Sequence, residues 1–118
     1  MKTALAILLP VLSPLFSQSI DVDKLSDLVG YTIIAATNVK GEFDGADYDK
    51  LVRLDNNWIF EFRSYHYHYA YHPVAIVFGK MVTADELRSH GIKPLSEKGI
   101  VMYKLIIDDD VYDVSRIR

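Results

Sequence analysis

The stretch Lys50 to Phe62, "KLVRLDNNWIFEF", decides the fold. Two apolar runs flank Asn56 and Asn57, and Asn tolerates the left-handed backbone that tight hairpin turns demand, so the stretch reads as a β-hairpin. In its second arm Trp58, Phe60 and Phe62 share one face, with Glu61 and Arg63 opposite, which assigns the aromatic face to the core.

The period-two pattern continues on both sides. Upstream, Tyr31 to Val39 ("YTIIAATNV") is a strand rich in β-branched residues, ended by the turn formers of "KGEFDGADYD". Downstream, Val74 to Lys80 ("VAIVFGK") follows Pro73 as a further strand. The segment from Ile100 onward forms two alternating runs around Asp108, Asp109 and Asp110, a second hairpin. Between them Thr83 and Glu86 have the spacing of a capping box and Gly91 supplies a stop, which predicts one or two helical turns. Ahead of the first strand, "DVDKLSDLVG" offers Asp21 or Asp23 as a cap and places Leu25, Leu28 and Val29 on one face. That segment predicts a short helix docked on the sheet as a flap over one open end of the core. The fold class expected is mainly β, a small barrel of about five to six antiparallel strands with two short helices.

Composition narrows the function classes. The first nineteen residues, "MKTALAILLPVLSPLFSQS", combine a basic start at Lys2, a short apolar run and a small-residue cleavage pattern at Ser17 and Ser19. This is the layout of a secretory signal peptide, and the run is far shorter than the ~20 residues of a bilayer-spanning helix. The expectation is a signal peptide over residues 1–19 and a single mature domain over 20–118, periplasmic or secreted, with no membrane anchor after cleavage. Cleavage removes Lys2 and no acid, leaving 12 basic against 16 acidic side chains. A mildly acidic chain with scattered basic residues lacks the footprint expected for nucleic acid or anionic lipid. The chain has no Cys, so neither disulfides nor thiolate chemistry apply.

Together these features resemble the bacterial SH3-like barrels found in exported proteins of unassigned role. The residues that carry the resemblance are Leu54, Asn56, Trp58 and Phe60 of the central hairpin, Pro73, Val74 and Ile76 of the next strand, and Tyr103, Leu105, Ile107, Val111, Val114, Arg116 and Ile117 of the closing hairpin. The resemblance implies a small SH3-like barrel and no particular activity.

The most unusual stretch is Ser64 to Pro73, "SYHYHYAYHP". As a strand it places Tyr65, Tyr67, Tyr69 and Tyr71 on one face and His66, His68, Ala70 and His72 on the other. The tyrosines suit either half-buried packing against the barrel, the reading favoured, or an exposed surface for a protein or cell-envelope partner. His66 and His68 lie about 7 Å apart along a strand, near enough to supply half of a zinc or copper site, with further ligands sought at His90, Glu61 or a turn Asp. His72 would lie roughly 20 Å from His66 on a straight strand, too far to join them. Asp44, Asp47 and Asp49 superficially suggest calcium but lack the sharp-turn Gly and closing Glu of such a loop, and read, like Asp108 to Asp110, as solvated turns. No nucleophile elbow, phosphate loop or zincin motif is present. The leading expectation is a non-enzymatic binding domain; a metal-binding protein using His66 and His68 and a small enzyme inhibitor presenting Met81 to Gly99 are the alternatives.

Overall fold

Alternating apolar residues build an antiparallel sheet whose edges curl toward one another. The computed structural model describes residues 21–118. The elements in chain order are α1 (Val22–Leu25), which runs into a 3-10 turn at Ser26–Leu28, then β1 (Thr32–Asn38), β2 (Glu42–Phe43), β3 (Leu51–Arg53) and β4 (Ile59–Phe62). They continue with β5 (Ala70–Tyr71), β6 (Val74–Val82), α2 (Ala84–Ser89), β7 (Ile100–Ile107) and β8 (Asp110–Arg116). Six strands form one antiparallel sheet in the order β1-β6-β7-β8-β4-β3, and β2 pairs with β5 in a separate two-stranded ribbon. The signal peptide expected over residues 1–19 lies outside the described residues.

The outer strands of the sheet meet at one point. Val39, just past β1, bridges antiparallel to Leu54, just past β3. Lys40 N donates to Arg53 O and Asp55 N to Asn38 O, each at 2.9 Å. Val39 and Leu54 are fully buried there, in a core with Phe60, Phe62, Val77, Leu105, Ile107 and Tyr112. Edge-on ring contacts run through this core, from Trp58 to Phe60 and on from Phe60 to Tyr103, and from Phe62 to Tyr112 at 5.4 Å. Each such pair adds about 0.5–1.5 kcal/mol beyond the burial of its rings.

The central hairpin forms as predicted, with Leu51, Val52 and Arg53 opposite Glu61, Phe60 and Ile59. Asn57 takes the left-handed turn position at φ +70°, and Asn56 Oδ1 accepts Trp58 N. Phe60 and Phe62 are buried as their alternation requires, but Trp58 is only half-buried. It sits at the rim of the core with the Arg116 guanidinium 4.1 Å from its ring centroid.

The capping box at α2 is present in both directions, with Glu86 N donating to Thr83 Oγ1 and Thr83 N to Glu86 Oε1. Ala84 and Leu87 anchor this helix in the interior. The first helix corrects its expectation. α1 buries no residue, and Val22, Leu25 and Val29 are exposed. It is held instead by a polar contact at its basic residue, where Lys24 Nζ reaches Asp110 Oδ1 at 2.7 Å. The next anchor is Tyr31, whose ring lies against Lys80 and Lys104.

The return from α2 to β7 depends on Gly99. Its φ is +81°, and a Cβ placed there would stand 2.0 Å from Val82 O, inside the backbone of β6. Gly91, at φ +77°, has no atom within 4 Å of the same position. Gly91→Ala should therefore cost about 1 kcal/mol for its left-handed backbone alone. Gly99→Ala should cost more than about 3 kcal/mol, because β6 must also move. Urea unfolding of both variants checks this, and equal losses would show that the β6–β7 connection is not pinned at Gly99.

Candidate functional site

The Tyr/His stretch is not one straight strand but half of a short, interrupted ribbon. Glu42 pairs with Tyr71 and Phe43 with Ala70, and after a break Ala46 pairs with His66, exchanging hydrogen bonds of 2.8 and 3.0 Å. Between these points one arm has one residue more than the other, so the ladder carries a bulge. Gly45 makes the close approach feasible. At φ +101° its missing Cβ would lie 2.9 Å from His66 O and 3.1 Å from His68 N. The ribbon ends at His72, whose φ of +50° turns the chain into β6.

The underside of the ribbon is apolar and aromatic. Phe43 and Ala46 are buried, and the Phe43 ring packs edge-on to Tyr112 at 5.7 Å and tilted on Phe62 at 5.9 Å. His66 and His68 flank this cluster, with ring centroids 5.8 Å from Tyr112 and 6.3 Å from Phe43.

Each histidine of the stretch finds its own carboxylate. His66 Nε2 contacts Asp110 Oδ2 at 3.1 Å, His68 Nε2 contacts Asp108 Oδ2 at 2.6 Å, and His72 Nε2 contacts Asp55 Oδ2 at 2.7 Å. An ionised carboxylate only accepts, so in each pair the ring nitrogen facing it is the N–H donor. His66 and His68 are thus each turned to a different side chain of the β7–β8 hairpin, Asp110 at the start of β8 and Asp108 in the turn before it. Among the described residues no three His, Asp or Glu gather as a metal-ligand group. The other ligands considered lie in other contacts, with His90 Nδ1 2.9 Å from Glu86 O at the C-terminal end of α2 and Glu61 beside Arg63. The acidic loop is likewise internally engaged, as Asp44 pairs with Lys50 and Asp47 Oδ1 accepts Tyr48 N.

The expectation that the tyrosine row packs against the barrel is not met. Tyr65, Tyr67, Tyr69 and Tyr71 are 65, 74, 56 and 74% exposed, and Tyr48 on the neighbouring loop is 66% exposed. Only Tyr69 is steered by a polar partner, donating its hydroxyl to Glu42 Oε2 at 2.8 Å, an acceptor that raises its pKa above the usual phenol value. The histidines serve as the ribbon's attachment and the tyrosines as its outer surface.

Sequence reading missed the partners of the histidines. Asp108 is exposed, as expected of a solvated turn residue, but is engaged by His68; Asp110 departs from that expectation, with a side chain only 18% exposed. Asp110 joins three segments, since Lys24 of α1 and His66 of the ribbon both bond it. Burial pushes its carboxyl up, but the hydrogen bond and charge of Lys24, with those of His66, outweigh burial and hold it below its ordinary value. The only local signal was the Asp-rich turn itself. Tyr112 was also missed as a polar group: its hydroxyl is buried without a hydrogen-bond partner. Burial and then the charges of Asp110, Asp108 and Asp109 push it far above the ordinary phenol range.

No protein-family model, curated protein or solved structure matches the chain. Among the described residues no helix is long and apolar enough to cross a membrane.

Two outcomes are expected. Because folding lowers the Asp110 pKa from 3.8, its stabilising contribution is complete above that value and is lost as pH falls below it. Asp110→Asn should therefore be less stable than the wild type at pH 7, with the gap closing as denaturation is followed down to strongly acidic pH. A gap that stays constant with pH would exclude an ionic role. Tyr112→Phe removes a buried hydroxyl that has no partner, so thermal melting should show it unchanged or more stable, by up to about 1 kcal/mol. Clear destabilisation would reveal a partner for that hydroxyl in solution.

Proposed function

We propose that this chain is an exported, non-enzymatic β domain of SH3-like type that acts by binding a protein or cell-envelope component through Tyr65, Tyr67, Tyr69 and Tyr71. The observation that carries the reading is the division of the ribbon: its histidines are bonded to the barrel while its four tyrosines stand more than half exposed. A tyrosine ring offers a large contact area with few rotatable bonds and a hydroxyl for polar contacts, and such rings dominate many protein-recognition surfaces. The three His–Asp pairs and the Phe43 anchor favour a ribbon already ordered before a partner arrives, which lowers the entropic cost of association. The SH3-like assignment is supported by the curled six-stranded antiparallel sheet and its contact at Val39 and Leu54. The proposal of export rests on the basic start and short apolar run of residues 1–19.

The test is a photo-crosslinking residue placed at position 67 in cells that make the full chain, followed by Tyr67→Ser with Tyr69→Ser in a quantitative binding assay against the captured partner. The double variant should lose binding while its stability stays within about 1 kcal/mol of the wild type, the usual range for two surface changes. Retained binding, or crosslinks from position 67 no stronger than from exposed Leu95 in the α2–β7 loop, would remove the tyrosine surface as the site.

A further inference from the structure

The main sheet divides between β7 and β8. These strands pair from Ile107↔Asp110 to Tyr103↔Val114 and no further. Beyond that point β7 continues with β6, through Met102↔Lys80 to Ile100↔Val82, while β8 continues with β4, through Ser115↔Glu61 and Arg116↔Phe60. Ile100–Met102 of β7 and Ser115–Arg116 of β8 therefore each have a strand on one side only. Alternate backbone N–H and C=O groups of these residues point into the gap, as on any antiparallel edge.

This gap is a groove of about 630 Å³ that also takes in Tyr31, Arg63, Lys104 and Asp113. Arg63, Lys104 and Arg116 against Asp113 give its lining a net charge of +2, in a chain whose formal net charge is −3. Lys104 is bonded to Asp113 at 2.8 Å, while Arg116, stacked on Trp58, has no carboxylate partner among the described residues. The register sets these cations on opposite faces: Arg116 lies opposite Phe60 on the barrel side, and Lys104 lies opposite Asp113 on the other. Successive side chains of an inserted strand point to both faces, so adjacent acids on it reach both cations.

We propose that the split between β7 and β8 receives an extended acidic peptide as an added strand, its backbone on the free edge of Ile100–Met102 and its carboxylates on Arg116 and the Arg63–Lys104 side. The site is separate from the tyrosine ribbon and does not depend on the function proposed for it. Backbone pairing gives such a site affinity, and the alternating charge contacts give selection.

The probe is a fluorescein-labelled peptide, VEEVEV, with VKKVKV and a VEEVEV peptide N-methylated at alternate backbone nitrogens as controls. Fluorescence anisotropy with the full chain should show saturable binding of VEEVEV, no binding of VKKVKV and at least about tenfold weaker binding of the N-methylated form, which has lost strand hydrogen bonds. R116E should weaken VEEVEV by at least about tenfold. Amide exchange on the unaltered protein should show VEEVEV protecting residues 100–102, a readout that stands even if R116E fails to fold. Absence of saturable binding, equal binding of the N-methylated peptide, or protection confined to the tyrosine ribbon would each overturn the proposal.

Discussion

The contact between Val39 and Leu54 is the constraint on which the architecture rests. A six-stranded antiparallel sheet has two free edges, and here they meet at this buried bridge, flanked by its two backbone hydrogen bonds. The curl it imposes brings the side chains of distant strands into one core, with Phe60, Val77, Leu105 and Tyr112 all facing inward. It also forces the connections from β1 to β3 and from β4 to β6 past each other. Those two loops solve their backbone hydrogen bonding by pairing as the β2–β5 ribbon, and Phe43 ties that ribbon into the core.

The regular elements were legible in the sequence because their causes are local. The two-residue period marked β1, β4, β6, β7 and β8, Asn57 marked the central turn, and Thr83 with Glu86 marked α2. What was not legible depended on residues far apart in the chain. His66 and His68 meet Asp110 and Asp108 across separations of 44 and 40 residues, and no spacing rule reports such a meeting. The same is true of Lys24 and Asp110, 86 residues apart. The alternation of Tyr and His did not say which side chains face water, since tyrosine is at home in either place; all four tyrosines are exposed, and His66 and His72, though each bonded to an Asp, keep 48 and 44% of their side chains exposed. For α1 the apolar spacing of Leu25, Leu28 and Val29 suggested docking by burial, whereas the contact made is ionic.

The two surfaces singled out differ in how they are built. The tyrosine ribbon is a loop-derived layer laid over the aromatic cluster and secured by charged and polar pairs. The groove between β7 and β8 is a defect in the sheet itself, created where two strands follow different neighbours. The first presents side chains on a supported backbone, and the second presents backbone framed by cationic side chains.

β1 carries a further consequence of edge geometry. It ends the strand order, and its sequence Thr32–Thr37, "TIIAAT", is uncharged, free of Pro and Gly, and rich in β-branched residues, the composition of segments that stack into fibrils. Ile33 is 60% exposed on it. The register against β6 shifts between Ile33 and Ala35, which leaves Ile34 as an extra residue in the edge strand. A bulge bends and twists the strand that holds it, so the free side of β1 is a poor template for a flat, in-register copy of itself. At this rim the protection against edge-to-edge pairing is one of backbone shape, since Thr32–Thr37 holds neither lysine nor proline.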